Sequence, residues 1–154
     1  MIEIPNFKNL YIQNILFDYN GTLAEDGKVS KEIHTLLQDV CKKYNVFVIT
    51  ADTFGSVKKE LKNFDLEVII LSSENHTNEK EEFLQKLGNK ETIALGNGNN
   101  DALMLKSAIV SISILGEEGC AREALFASDI ICKNITNAMQ LLLHPKRMIA
   151  TLRR

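Results

Sequence analysis

The chain has 154 residues, of which 45% are hydrophobic and 25% charged, a composition typical of one ordered globular domain. The formal net charge of −2 gives no electrostatic reason to expect nucleic acid or an anionic membrane as a partner. The three cysteines lie far apart and form no CxxC pair, so we expect neither a disulfide framework nor a zinc site.

The first residues lack a basic segment followed by a sustained apolar stretch, and no window approaches about 18 apolar residues. These features argue against a signal peptide and a membrane span, so a cytoplasmic protein is expected. Since no repeat or Ser/Gly linker divides the sequence, residues 1–154 are expected to form a single domain.

Strand-like apolar runs alternate with helical patterns from about Ile15 onward. The first strand is predicted at 14–18, and a turn at 25–28 leads to a helix with Ser30 as its N-cap. The apolar residues on one face of that helix are three and four positions apart. They are Ile33, Leu36, Leu37, Val40, Cys41 and Tyr44.

The next elements are a strand at 46–50, a helix, a strand at 66–71, a helix at 78–87 with Asn78 as its N-cap, and a strand at 92–95. The first of these helices is predicted from a face formed by Phe54, Val57, Leu61 and Phe64.

The C-terminal part continues with a helix at 101–107, a strand at 109–115, a helix at 121–127 and a strand at 129–132. A helical pattern interrupted at Pro145 then predicts two helices, with the proline in the first turn of the second. The alternation predicts a three-layer, doubly wound, mostly parallel α/β sheet.

Polar residues follow several of the predicted strands. Asp18 ends the first strand, Thr50 ends the second, and the glycine-rich loop 96–101 follows the fourth. The carboxyl ends of parallel strands share one edge of the sheet, where ligands bind. A carboxylate, a hydroxyl and glycine-rich backbone amides are groups that phosphoryl transfer uses, so the edge is predicted to be a phosphate site.

The ordered set of motifs resembles the haloacid-dehalogenase (HAD) superfamily of phosphatases, and more closely its soluble P-type-ATPase-like members. DYNGTL at 18–23 is similar to the first motif, a strand ending in D-x-D/T-G-T-L. Thr50 is similar to the second motif, and TAD at 50–52 is similar to the T-G-D of cation pumps. GNGNND at 96–101 is similar to the fourth motif, G-D-G-x-N-D.

The third motif of the superfamily is a lysine that opens a helix. Lys80 resembles it, because Phe83, Leu84 and Leu87 follow at the helical spacing seen in the pumps. Lys86 is a competing candidate, and a solvated, charged helix is the alternative interpretation of this segment.

The resemblance implies an aspartyl phosphate on Asp18, which divides hydrolysis into two steps. It also implies Mg²⁺, which would hold a carboxylate and a phosphate together against their repulsion. The implied metal ligands are Asp18, the Asn20 backbone carbonyl, Asn97 and Asp101. The implied phosphate-binding residues are Gly21, Thr50, Ala51 and Lys80, and the implied catalytic residues are Asp18, Asn20, Thr50 and Lys80.

Two asparagines depart from the family pattern. Asn20 replaces the aspartate that protonates the leaving group and activates water, a role worth about 100 to 10,000-fold in rate, so slow turnover is expected. Asn97 removes one negative charge from the implied metal site, so we expect weaker Mg²⁺ binding than in a typical phosphatase.

The spacing leaves no room for a cap domain, because 22–50 holds only a turn and one helix and 71–80 only a short loop. An open site implies a large phosphorylated substrate, or a neighbouring subunit of a homo-oligomer that acts as a lid.

Taken singly, the candidate residues have simpler interpretations. Asp18 could cap a helix or be a response-regulator-like aspartate, Thr50 could be an ordinary strand end, and Asp101 could be a helix N-cap. The whole chain could be a degenerate phosphate- or metal-binding regulatory module, or a structural subunit. The combination of Asp18, Thr50 and Asp101 favours an enzyme.

Overall fold

The structure, a computed structural model, describes residues 1–52 and 55–154. Its strands are β1 Ile2–Ile4, β2 Lys8–Leu10, β3 Asn14–Asp18, β4 Asn45–Thr50, β5 Glu67–Ile70, β6 Thr92–Gly96, β7 Val110–Ile114 and β8 Ile130–Cys132. Its helices are α1 His34–Lys43, α2 Ser56–Glu60, α3 His76–Leu87, α4 Ala102–Ser107, α5 Arg122–Ala127, α6 Ile135–Leu143 and α7 Pro145–Leu152.

Six strands form one parallel sheet in the order β5-β4-β3-β6-β7-β8. The chain winds outward from β3 to β5, then returns to β6 on the other side of β3, so the strand order reverses between β3 and β6. The predicted α/β sheet is confirmed. Asp18 and Gly96 therefore end adjacent central strands at the switch point, where ligands bind in such sheets.

Helices cover both faces of the sheet, which is why the central strands β3 and β6 are buried at every residue. Successive side chains of β3 enter opposite layers, since strand side chains alternate. Phe17 belongs to the cluster that includes Leu37 of α1 and Met139 of α6, whereas Leu16 packs in the cluster with Leu84 of α3 and Met104 of α4. The predicted three layers are thus present.

An antiparallel hairpin of β1 and β2 precedes the main sheet, and the sequence patterns do not predict it. Strands of three residues are too short for their periodicity to be recognised. The hairpin connection meets the C-terminus, where the Arg154 backbone N–H donates to the Pro5 carbonyl at 3.1 Å. The predicted pair of C-terminal helices is confirmed, and Pro145 opens the second.

Helix caps agree with the sequence at one helix and differ at another. Ser30 caps the 3₁₀ turn Lys31–Ile33 that leads into α1, as predicted, and accepts a hydrogen bond from the Glu32 backbone N–H. The predicted cap Asn78 is wrong, because α3 begins two residues earlier and the Asn75 side chain accepts from the Asn78 backbone N–H at 3.2 Å.

The helix predicted from Phe54 to Phe64 is shorter in the structure. Phe54 lies outside the described residues, and α2 ends at Glu60, before Phe64. Within the described part of the chain, no helix has the length and apolar character needed to cross a bilayer.

Candidate active site

Asp18 lies at the carboxyl end of β3 and is only 7% exposed. One carboxylate oxygen, Oδ1, accepts from the Lys80 Nζ at 2.8 Å, and the other, Oδ2, lies 3.1 Å from the Thr22 hydroxyl, which can donate to it. The tight turn after β3 brings Thr22 back over Asp18, since the Thr22 and Ala24 backbone N–H groups both donate to the Tyr19 carbonyl. Asp18 is therefore held in one orientation.

Lys80 is 2% exposed, and its ammonium group is surrounded by oxygen atoms. It donates to Asp18 Oδ1 at 2.8 Å, to Asp101 Oδ1 at 2.7 Å and to Asn100 Oδ1 at 3.3 Å, which uses all three of its hydrogens. Lys86, the competing candidate, is exposed on the same helix. The structure thus brings Lys80, and not Lys86, to Asp18.

Asp101 is completely buried, and both of its oxygens have hydrogen-bond donors. Oδ1 accepts from Lys80, and Oδ2 accepts from the backbone N–H groups of Asn97 at 3.0 Å and Gly98 at 2.9 Å. The side chain bonds back to its own loop and caps no amide of α4. A Cβ at Gly96 would lie 2.6 Å from the Asp101 Cβ, so this position requires glycine.

Asn97 extends its side chain from the β6 loop to the turn after β3. The Thr22 hydroxyl lies 3.2 Å from Asn97 Oδ1 and 3.1 Å from Asp18 Oδ2, and it has one hydrogen to share between them. Gly21 has a φ of +79°, and a Cβ there would overlap the Asn97 side chain. Glycine at 21 therefore serves both the turn and the close approach of Asn97.

The remaining predicted residues surround this cluster. Thr50 is 3% exposed at the end of β4, next to Asp18 in the sheet, because Asp18 is in register with Ile49. Ala51 and Asn20 are exposed at the same edge. Asn20 and Ala51 also line one open cleft of about 260 Å³ beside Asp52.

The ionisable groups of the cluster are unbalanced, with two carboxylates around one ammonium group. Burial and the nearby negative charge of Asp101 raise the pKa of Asp18 to about 7, although Lys80 and Thr22 oppose that change. Burial alone lowers the pKa of Lys80, but Asp18 and Asp101 outweigh it and raise the pKa above its usual value. Protonation of Asp18 is thus the least costly way to remove the surplus negative charge from the cluster.

The converging oxygens fit a hard divalent cation such as Mg²⁺. Asp18 Oδ2 and Asn97 Oδ1 both lie near the Thr22 hydroxyl, which can donate its single hydrogen to only one of them. A cation could be coordinated by both oxygens at once. The Asp101 oxygens instead already have three N–H donors, so the ligand role predicted for Asp101 stays a prediction. Across residues 1–52 and 55–154, no three His, Cys, Asp or Glu side chains come together as a metal-binding group.

Sequence reasoning missed three contributors to the site, of which Asn100 accepts a hydrogen bond from Lys80 at 3.3 Å. Thr22 links Asp18 to Asn97, and the loop 116–121 after β7 holds Asn97 from outside. The Thr22 hydroxyl was present in the first motif and could have been assigned a role from it. The loop carries no recognisable motif, because it acts through its backbone groups.

No protein-family model matches the chain. Over 73 residues, 47% of this chain and 78% of the relative, the chain is 45% identical to an uncharacterized protein of Methanocaldococcus jannaschii. It is also 27% identical over 131 residues to the probable phospholipid-transporting ATPase IM of Homo sapiens. That match covers 79% of this chain but 11% of the ATPase.

Several solved structures share the fold. A 3-deoxy-D-manno-octulosonate 8-phosphate phosphatase from Moraxella catarrhalis, solved with magnesium, phosphate and KDO, matches with a TM-score of 0.72 and 18% identity over 93% of this chain and 94% of that one. A cobalt-bound deoxy-D-mannose-octulosonate 8-phosphate phosphatase from Haemophilus influenzae has a TM-score of 0.70 and 10% identity over 94% of both chains. An apo phosphoserine phosphatase has a TM-score of 0.61 and 17% identity over 86% of this chain and 98% of that one.

Proposed function

We propose that this chain, which belongs to the same family as the uncharacterized archaeal protein and has the fold of haloacid-dehalogenase hydrolases, is a phosphohydrolase or phosphotransferase that forms an aspartyl phosphate on Asp18. The proposal includes Mg²⁺ as cofactor and a phosphorylated substrate as partner. Support comes from the enzymes that share the fold, several of which are phosphatases, one of them solved with magnesium and phosphate.

The observation that carries the proposal is the arrangement around Asp18. Its carboxylate lies at the switch point of the sheet, with Lys80 at 2.8 Å on one oxygen and Thr22 at 3.1 Å on the other. A buried lysine shared by Asp18 and Asp101 costs desolvation energy, and a scaffold needs no such group. In an enzyme, Lys80 would attract the phosphate and also hold the nucleophilic carboxylate of Asp18, which explains why a buried lysine is present.

The reaction has two steps. An oxygen of ionised Asp18 attacks the phosphorus, and the bond from phosphorus to the leaving oxygen breaks as the acyl phosphate forms. Water then attacks the phosphorus, which releases phosphate and restores the carboxylate. Lys80 offsets negative charge throughout, and Thr50 and the Ala51 backbone bind the phosphate oxygens. The phosphate-binding role predicted for Gly21 is not part of the proposal, because the Gly21 backbone N–H already donates to the Ala24 carbonyl at 2.8 Å.

Proton transfer is the weak part of this centre. The leaving oxygen needs a proton in the first step, and the attacking water must lose one in the second. The Asn20 amide can do neither, although the residue is exposed at the mouth of the site. Solvent water is then the proton source and acceptor, and turnover is slow.

Mg²⁺ would be held by Asp18 Oδ2, Asn97 Oδ1 and the Asn20 backbone carbonyl, with waters completing its coordination. When bound, this ion supplies positive charge that offsets the repulsion between the carboxylate and the phosphate. The three hydrogen bonds of Asp101 support a second role for this residue: it keeps Lys80 charged and closes the 96–101 loop.

The connection from β3 to β4 contains only a turn, the 3₁₀ turn at Lys31–Ile33 and α1, so no insertion from it covers the site. We extend the proposal to a large phosphorylated substrate, or to a second copy of the chain that covers the open edge.

The test is hydrolysis of an aryl phosphate and a set of phosphomonoesters with Mg²⁺, by the wild type and by the Asp18→Asn variant. We expect slow hydrolysis that requires Mg²⁺ and that Asp18→Asn abolishes, together with binding of Mg²⁺ and beryllium fluoride, which imitates the acyl phosphate, to the wild type only. Equal beryllium fluoride binding by a folded Asp18→Ala variant would contradict the proposal. Mg²⁺-dependent binding without hydrolysis would instead support a regulatory module.

A further inference from the structure

The loop after β7, residues 116–121, contacts both the backbone and the side chain of Asn97. The Ala121 backbone N–H donates to the Asn97 carbonyl at 2.7 Å, and Asn97 Nδ2 donates to the Gly119 carbonyl at 3.1 Å. The same loop contacts the turn at 25–28, since the Asp26 backbone N–H donates to the Glu118 carboxylate at 3.3 Å. The loop 116–121 thus connects the 96–101 loop with the segment that follows β3.

The Gly119 carbonyl fixes which way the Asn97 amide points. A carbonyl oxygen can only accept a hydrogen bond, so the atom of Asn97 that faces it must be the NH₂ group. The amide oxygen is then turned to the opposite side, where it lies 3.2 Å from the Thr22 hydroxyl that also contacts Asp18. An aspartate at position 97 would have no hydrogen to offer to Gly119.

The position of this carbonyl depends on the backbone at Gly119. Its φ is +77°, and its N–H donates to the Gly116 carbonyl at 2.9 Å, which closes a tight turn. A Cβ at Gly119 would meet nothing within 4 Å, so a side chain fits in space but strains the backbone. A substitution here can therefore displace the carbonyl without touching the site.

We infer that Gly119 is a positioning residue for the metal site: its backbone carbonyl holds the Asn97 amide with the oxygen toward Asp18. This inference rests on the metal binding in the proposed function, and it assigns the loop 116–121 a part in that binding. It also explains how a neutral amide can serve where an aspartate is the usual residue, because the amide is oriented before the ion arrives.

The test measures the affinity for Mg²⁺ alone by calorimetry in the wild type, Gly119→Ala, Asn97→Ala and the double variant. Loss of a group that orients a metal ligand costs roughly ten-fold or more in affinity, and we expect about that loss in Gly119→Ala. In the Asn97→Ala background, the change at Gly119 should have no further effect, since its target is gone. Equal losses in both backgrounds would overturn the inference.

Two further variants serve as controls. Gly119→Asn should keep an affinity close to that of the wild type and fold well, because asparagine adopts positive φ more readily than alanine. Gly88→Ala introduces the same kind of strain at a φ of +107° after α3, away from the loop 116–121, and should leave Mg²⁺ binding unchanged. Unchanged binding in folded Gly119→Ala overturns the positioning role alone, whereas a wild type that binds no Mg²⁺ overturns the proposed function as well.

Discussion

At the scale of single residues, the charges around Asp18 do not balance, and this imbalance lowers the stability of the free protein. Asp18 and Asp101 both contact Lys80, which leaves one surplus negative charge in a buried place. The cost falls on Asp18, whose pKa is raised to about 7 by burial and by Asp101. Functional sites commonly hold such groups, because the charge that destabilises the free protein binds the ligand.

This imbalance predicts that Asp18→Asn stabilises the metal-free protein at pH 8. The folded wild type keeps the Asp18 proton up to about pH 7, whereas a free aspartate loses it near 3.8, so wild-type stability falls as the pH rises between these values. The variant should melt higher at pH 8 by about 3 to 10 °C, a gain of roughly 1 to 3 kcal/mol. The gap should shrink as the pH falls toward 4, as measured by thermal denaturation in EDTA.

The control for this prediction is Asp129→Asn, which alters a carboxylate that accepts from the Ser111 backbone N–H at 3.0 Å. That variant should lose stability. An Asp18→Asn variant that melts below the wild type at pH 8 would show that its hydrogen bonds outweigh its buried charge.

The second residue-scale prediction concerns proton transfer at position 20. Asn20→Asp places a carboxyl group at the exposed mouth of the site, where it can protonate the leaving group and then activate water. Turnover of an aryl phosphate should rise by roughly ten-fold or more. The matched variant Asn20→Gln should show no gain. If folded, Mg²⁺-binding Asn20→Asp gains nothing, another group already fills this role.

At the scale of elements, the sequence predicts what a single segment determines. Each strand of the main sheet is a short apolar run, and the residue at its carboxyl end follows from the run itself, so Asp18 and Thr50 could be placed before the structure was known. Lys80 could be proposed only through the resemblance to the third motif, in which Phe83, Leu84 and Leu87 follow the lysine at helical spacing. Its contact with Asp101, across 21 positions, needs the packed fold.

The missed features depend on contacts between distant segments. The hairpin of β1 and β2 is too short for a periodic pattern, and the loop 116–121 contacts Asn97 through a backbone N–H and a backbone carbonyl, which leave no motif in the sequence. The cap of α3 was misplaced because Asn75 and Asn78 are chemically alike, and only the backbone at Asn75 distinguishes them.

The connection from β5 to α3 offers an element-scale prediction, since it aligns the helix that carries Lys80. Hydrogen bonds from the Ser73 side chain and from the Ser72 and Ser73 backbone amides lower the pKa of Glu79 to about 2. The lowered pKa means that Glu79 stabilises the fold above its ordinary pKa of 4.5, and that this contribution is lost as the pH falls to about 2.

Glu79→Gln should therefore lower the melting temperature slightly at pH 7, with a difference that disappears between pH 4.5 and about 2. Glu82→Gln, which alters an exposed carboxylate of the same helix, should leave the melting temperature unchanged. Identical pH dependence for the two variants would mean that the Ser72 and Ser73 contacts contribute nothing in solution.

At the scale of the whole molecule, the two hydrophobic layers and the site meet on the same central strands. Leu16 and Phe17 each enter a different core layer, and Asp18 follows them directly, so the packing of both layers fixes the position of Asp18. The surplus charge at Asp18 then lowers the stability of the whole fold, because β3 packs in both core layers and Asp18 can move only if the core opens. A cation that binds Asp18 should consequently stabilise the molecule globally.

We predict that Mg²⁺ raises the melting temperature of the wild type in proportion to the logarithm of its concentration. A ligand that binds only the folded state contributes about 2.7 kcal/mol at one hundred times its dissociation constant, which corresponds to roughly 5 to 10 °C for a chain of this size. The rise should be absent in Asp18→Ala, which lacks the ligand oxygens, and reduced in Asn97→Ala, which keeps Asp18. Scanning calorimetry across Mg²⁺ concentrations at constant ionic strength separates this binding from general screening of charge. An equal rise in the wild type and Asp18→Ala would place the ion elsewhere on the molecule, since both variants share every other carboxylate.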